Sequence, residues 1–239
     1  MNKKIALIVA LGVGFPYFGN AQTQNARNED PAMRARMGEI KDKARFHELV
    51  DASADIYAAM TKGPHGSLPS SVAKNVRCIA VIPNVMTGAL IVGGTHGVGL
   101  ASCKDSTNTW TQPAAISLNQ GSIGLQAGAK STDVVLFFQS KDAEQALKRG
   151  EFAIGTDVSA VAGTFDNSLD TSTAGLVAYT RTEGLFAGAS INGSKVGRDK
   201  EELENFYGKK VDYTALLEGR ESPDSSGYTQ KLTKLFPQS

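Results

Sequence analysis

Between residues 39 and 60, Phe46, Leu49, Val50, Ser53, Ile56, Tyr57 and Met60 recur at the helical period and draw one apolar stripe. The pattern predicts an amphipathic helix ended by Lys62-Gly63-Pro64. Beyond a short helical turn at 67–76, the period changes to two. Strands are predicted at 79–82, 89–103, 114–118, 122–129, 134–139, 156–162, 175–181 and 185–191. The run 134–138 is apolar at every position, which suits a central strand covered on both faces. Helices are predicted at 141–149, starting at Ser140, and at 199–206, with a last docking turn at 231–236.

Three of the strands carry glycine at alternate positions. The stretches 90–101, 121–129 and 184–193 set Leu, Ile, Val or Ala on one face against Gly, Ser or Thr on the other. Glycine weakens a strand unless something must approach it closely. The pattern implies a strongly coiled sheet, or one on which a helix, another backbone or a ligand sits tightly.

The start reads as a secretory leader. Lys3 and Lys4 precede an apolar stretch over 5–15, and Gly19-Asn20-Ala21 offers a small-residue cut site before Gln22. The expected layout is a signal peptide at 1–21, a flexible polar lead-in at 22–38, one domain at 39–218 and a tail at 219–239. The expected destination is the periplasm or the exterior, with peripheral membrane contact. Nothing after residue 21 approaches the roughly 20 apolar residues of a membrane span. With 25 basic and 24 acidic residues the chain has no bulk positive field for nucleic acid. Cys78 and Cys103 are the two cysteines, and export favours a disulfide between them over a metal site or two free buried thiols.

Catalytic signals are weak. His47, His65 and His96 are scattered, without zinc spacing, so neither a metal nor a cofactor is expected. Gly188-Ala189-Ser190-Ile191-Asn192 lacks the last glycine of a serine-hydrolase elbow and lies in an alternating strand. The glycine-rich run 93–99 lacks the Gly-Lys-Ser/Thr ending of a phosphate loop. Asp133, Asp157 and Asp166 read as well in turn and strand-end roles as in acid–base roles. An enzyme is not expected. Over 39–60, Lys41, Lys43 and Arg45 face five acids, a balance that favours docking on the protein's own sheet over lipid contact.

Taken in order, Val81-Ile82-Pro83-Asn84-Val85, Gly93-Gly94-Thr95-His96-Gly97-Val98-Gly99, Trp110-Thr111-Gln112-Pro113, Gly121-Ser122-Ile123-Gly124-Leu125-Gln126-Ala127-Gly128, Thr132-Asp133-Val134-Val135-Leu136 and Gly184-Leu185-Phe186-Ala187-Gly188 resemble the SYLF family, also called the Ysc84 actin-binding domain family. The resemblance covers roughly residues 40–218 and six ordered blocks, and suggests an exported bacterial member. The family's Trp-Ser-x-Pro appears as Trp110-Thr111-Gln112-Pro113, and its Gly-Pro as Gly163-Thr164; both changes fall in loops. The resemblance implies a lipid-binding module without catalysis. Some members bind actin, which an exported bacterial protein would not meet.

The expected architecture is a β-rich α+β domain, a coiled antiparallel sheet or partial barrel with an N-terminal amphipathic helix and short peripheral helices. The expected function is peripheral binding of anionic phospholipid, with an envelope module that binds another protein as the alternative. The resemblance carries no fixed lipid-contact motif. Local chemistry nominates Arg34, Arg36, Lys41, Lys43 and Arg45 for headgroups and Phe46 as an apolar anchor.

Overall fold

A computed structural model of the chain describes residues 31–62, 68–89, 92–123, 128–163, 174–182, 191–208 and 210–238. The chain divides into two units, residues 1–38 and 39–239. Of the first, the described part is the opening of helix α1 (Pro31–Lys62). The expected leader and the serine motif at Ser190 lie outside the described residues, as do His65, Asp166 and residues 185–190 of the last predicted strand.

Helix α1 begins eight residues before the predicted start, so the stretch 31–38 read as part of a lead-in is helical. Proline is well suited to a first helical position, because its fixed φ fits and its missing N–H would have had no partner there. Ala32, Arg34, Ala35, Arg36 and Met37 are all good helix formers. The apolar stripe that reveals a helix in sequence requires a buried face, and these residues are exposed.

The second unit is built on one eight-stranded sheet, curled into a half-barrel and covered by the helix and several short ones, an α+β arrangement as expected. Its strands are β1 (Cys78–Ala89), β2 (Val92–Cys103), β3 (Ala114–Ile123), β4 (Gly128–Phe138), β5 (Glu151–Ala153), β6 (Ala160–Gly163), β7 (Leu176–Thr182) and β8 (Lys195–Arg198). The order across the sheet is β5-β8-β3-β2-β1-β4-β7-β6. Every pairing is antiparallel except β6 with β7. The stretch 121–129, read as one glycine-alternating strand, is instead the end of β3 and the beginning of β4.

β1 and β4 lie at the centre, and Cys78 to Ile82 and Val134 to Phe138 are buried throughout. The pleat sends neighbouring side chains to opposite faces. Phe137 packs towards Tyr57 of α1 and edge-on to Tyr179, while Phe138 meets Phe152 of β5. Phe46, Val50, Tyr57 and Met60 form the buried stripe of α1, as the periodicity predicts.

Helices α2 (Ser70–Asn75), α3 (Lys141–Arg149), α4 (Lys200–Tyr207), α5 (Tyr213–Leu217) and α6 (Gln230–Thr233) complete the described elements. Ser140, Asp199 and Asp212 cap α3, α4 and α5, each side chain accepting a hydrogen bond from a backbone N–H three residues on. The tail is part of the core. Leu232 and Phe236 are buried, Phe236 packs edge-on against Trp110 and Tyr57, and Trp110 Nε1 donates to the Pro237 carbonyl at 2.9 Å.

β1 carries a bulge between Val81 and Met86, where the register to β2 shifts, and Asn84 adopts a positive φ of 49°. Asp133 holds this kink, accepting from the Asn84 N–H at 3.1 Å and from Arg181 at 2.7 Å. Bulges bend the strand that carries them and raise its local twist. At this bend β1 crowds the glycines of β2. A Cβ on Gly99 would stand 2.4 Å from the Val81 carbonyl oxygen, and one on Gly97 would stand 2.8 Å from a Val85 methyl group. What approaches these two glycines is the neighbouring strand.

Candidate functional site

Charge and burial divide α1 into two halves. From 31 to 45, Arg34, Arg36, Lys41, Lys43 and Arg45 stand against Glu39 and Asp42; from 46 to 62, Lys62 stands against Glu48, Asp51 and Asp55. The second half supplies the buried stripe, whereas 32–41 is exposed at every position. Met33, Met37 and Ile40 are 56%, 60% and 67% exposed and follow one another at spacings of four and three residues.

The nominated residues separate accordingly. Arg34, Arg36 and Lys41 are exposed. Lys43 is exposed and pairs with Glu39 one turn earlier at 2.8 Å. Arg45 pairs with Glu202 of α4, whose carboxylate is largely buried. Burial raises the Glu202 pKa, and Asp199, Glu201 and Asp42 add to the rise while Arg45 opposes it. Phe46 is 5% exposed and packs at a tilt against Phe206 and Tyr207, with ring centroids 5.0 and 5.4 Å away. It belongs to the core and is unavailable as a membrane anchor. The exposed large apolar side chains of this half are Met33 and Met37, in the stretch read as a polar lead-in, and Ile40, which is off the apolar stripe of the predicted helix.

Of the residues considered for catalysis, the described ones His47, His96, Asp133 and Asp157 each have a polar or ring partner within the fold. His96 Nδ1 lies 2.7 Å from the Asn119 side chain on an exposed part of the sheet. His47 stacks on Tyr228, whose hydroxyl donates to Asp51 at 2.6 Å. Asp157 accepts from the Ala153 N–H. Among the described residues, no group of three His, Cys, Asp or Glu is placed to hold a metal ion, and no helix is long and apolar enough to cross a membrane.

A second polar cluster surrounds the disulfide. Cys78 and Cys103 are bonded, opposite one another on β1 and β2, with Cα atoms 4.0 Å apart. Immediately outside them, Arg77 and Lys104 line a cleft of about 350 Å³ together with Lys74, Asn108, Gln139 and Glu144. Glu144 of α3 accepts from Arg77 Nε and from Lys148 at 2.7 Å. Burial raises its pKa, but those hydrogen bonds and the two positive charges outweigh burial and leave it below the ordinary value. The Lys104 ammonium lies 5.3 Å from the centre of the Trp110 ring.

Comparison with known proteins adds an independent line. Residues 119–236 match the Ysc84 family, described as "Las17-binding protein actin regulator". The chain is similar to LAS seventeen-binding protein 3 of Saccharomyces cerevisiae, with 28% identity over 184 residues, 72% of this chain and 40% of the relative. It is similar to Protein YSC84 of the same yeast, with 30% identity over 161 residues, 64% of this chain and 34% of the relative. SH3 domain-containing YSC84-like protein 1 of Bos taurus is 27% identical over 164 residues, 66% of this chain and 48% of that protein. The chain thus spans between a third and a half of the length of these relatives. No solved structure matches it.

Proposed function

We propose that this chain, which belongs to the Ysc84 (SYLF) family, is a non-catalytic peripheral phospholipid-binding protein that uses the first half of α1. Family members are named as binding or regulatory proteins, which accords with a binding role. The carrying observation is the stretch 31–45, basic in balance, exposed throughout 32–41 and bearing Met33, Met37 and Ile40 at helical spacing. A helix with exposed cations and exposed large apolar side chains suits the boundary between headgroups and acyl chains. The acidic second half of α1 is already engaged with the core, so the unfavourable charge balance read over 39–60 does not apply to the part that would meet lipid.

The cations set the preference for anionic surfaces. Each basic side chain near such a surface contributes about 1 kcal/mol, so Arg36 and Lys41 together contribute roughly thirtyfold in affinity. Lys43 and Arg45 already have carboxylate partners and contribute less. Co-sedimentation with phosphatidylglycerol vesicles is expected to bring the protein down at low salt and progressively less as salt is raised. Absence from the pellet with both anionic and zwitterionic vesicles would overturn the reading.

A second reading has its own support. The name of one yeast relative and the family description point to Las17, and the description also to actin regulation. On that reading the chain is a module that binds another protein. A stoichiometric protein partner recovered from the native source, together with indifference to vesicles, would favour it.

A further inference from the structure

We propose that the cleft beside the disulfide is a binding site for a small phosphate-bearing anion, held by Arg77, Lys104 and the side-chain amide of Gln139. The site is separate from the lipid-facing helix half and does not depend on it.

The donors in this cleft exceed its acceptors. Gln139 Nε2 is buried and has no hydrogen-bond partner in the protein. A buried donor left unpaired is destabilising, and an incoming oxygen acceptor would remove that cost. Arg77 uses Nε on Glu144, leaving the rest of its guanidinium fork available. Lys104 makes no ion pair among the described residues. Lys74, exposed at the end of α2, adds a third cation at the rim.

The two carboxylates of the cleft are already engaged, which argues against a cation as the ligand. Glu144 is shared between Arg77 and Lys148. One oxygen of Asp105 accepts from the N–H groups of Thr107 and Thr109 and from the Thr107 hydroxyl, closing its own turn. Asp105 has no cation partner among the described residues, and the three lining cations Lys74, Arg77 and Lys104 outnumber the two carboxylates. Partial burial and the neighbouring Arg77 both lower the Lys104 pKa, and an anion between the two cations would relieve that repulsion.

The backbone makes the arrangement rigid. Lys104 N–H donates to the Arg77 carbonyl at 2.8 Å, and Arg77 N–H donates to the Phe138 carbonyl at 2.7 Å. The adjoining disulfide fixes the two strands at the same level. A preorganised pair of cations loses little conformational entropy on binding. Arginine presents a planar fork that fits phosphate oxygens, and lysine adds a point charge.

Phosphate could arrive free or on a lipid headgroup, and titration separates the two. The Gln139 side-chain amide resonance of the oxidised protein is followed by NMR during additions of inorganic phosphate, then of phosphatidic acid vesicles, with sodium chloride at matched ionic strength as control. A saturable shift with phosphate identifies a soluble ligand, and one with phosphatidic acid vesicles alone identifies a headgroup. Lys104→Gln is expected to weaken binding at least tenfold while keeping the near-ultraviolet circular dichroism of the wild type, and Lys104→Arg is expected to retain it. No saturable shift with either source, an equal shift with chloride, or wild-type binding by a folded Lys104→Gln protein would overturn the proposal.

Discussion

The Lys104 N–H donates to the Arg77 carbonyl at 2.8 Å, one residue outside the Cys78–Cys103 bond on each strand. The cysteines therefore face one another at a non-hydrogen-bonded position of the antiparallel ladder, where side chains come closest. The covalent link and the two cations beside it are parts of one local arrangement.

Replacing both cysteines by alanine tests the covalent part. The bridge joins residues 25 apart, and chain entropy alone assigns such a loop about 3 kcal/mol. Urea unfolding of the double variant is expected to show a loss of that size, with a steeper slope because the released denatured chain exposes more surface. A loss under 1 kcal/mol would mean that the strand ladder restrains the ends without help.

Gly99→Ala and Gly121→Ala form a matched pair. At Gly99 the new methyl group would meet the Val81 carbonyl and the Ile82 backbone, neither of which can move without undoing the β1 bulge. At Gly121 nothing lies within 4 Å. We expect Gly99→Ala to cost about 3 kcal/mol or more, in the range of severe overpacking, and Gly121→Ala to be neutral within about 0.5 kcal/mol. Thermal unfolding of the two proteins side by side gives the answer, and similar midpoints would count against close strand approach as the reason for the glycines in β2.

Arg45 and Glu202 give a pH-dependent effect. The folded pKa of Glu202 is raised, chiefly by burial, so its charged form is disfavoured in the fold and protonation favours folding. That gain appears as pH falls through the raised folded value and is complete below the unfolded one. Arg45→Ala leaves the carboxylate without its cation. With Arg45 more than half exposed, the expected cost is about 1–2 kcal/mol at pH 7. It should shrink towards zero below pH 4, where Glu202 is neutral with or without Arg45. Chemical denaturation at the two pH values measures it, and a constant cost would show that the charge pair is not the cause.

Asp51 works in the opposite sense. Hydrogen bonds from Tyr228 and Lys231, with the charges of Lys231 and His47, lower its pKa against a small burial effect. Its contribution is present above the unfolded value and is lost as pH falls through the lowered folded value. The pair is exposed, so the expected effect of Asp51→Asn is small, about 0.5 kcal/mol. Faster amide exchange confined to the segment around Tyr228 and α6 is the expected signature, and unchanged exchange there would remove Asp51 as a fastening for the tail.

Much of the fold is legible where sequence carries a local marker. Ser140 and Asp199 announce α3 and α4 to within a residue, because a cap is a short-range hydrogen bond. The cysteine pair announces the β1–β2 register. The elements that escape notice lack such markers or carry misleading ones. β8 has four residues and no alternation to reveal it. The glycine alternation over 121–129 runs unbroken from β3 into β4, so period two alone conceals the change of strand.

For the site, the cations of α1 can be read directly, but the apolar partner cannot. Phe46 has the right chemistry for an anchor, yet the ring it packs on, Phe206, lies far along the chain. Only the fold reveals that Phe46 is engaged and that Met33, Met37 and Ile40 are exposed. Likewise Gln139 joins Arg77 and Lys104 through the pairing of β4 with β1, which no local pattern encodes.

Flotation through a density gradient with phosphatidylglycerol vesicles, comparing the wild type with Met33→Ser/Met37→Ser/Ile40→Ser, bears most directly on the central claim. These side chains lie outside the core, so the variant is expected to keep the wild-type unfolding transition. The wild type should rise with the vesicles and the variant should remain at the bottom. Equal flotation of the two proteins would contradict a membrane contact made by the first half of α1.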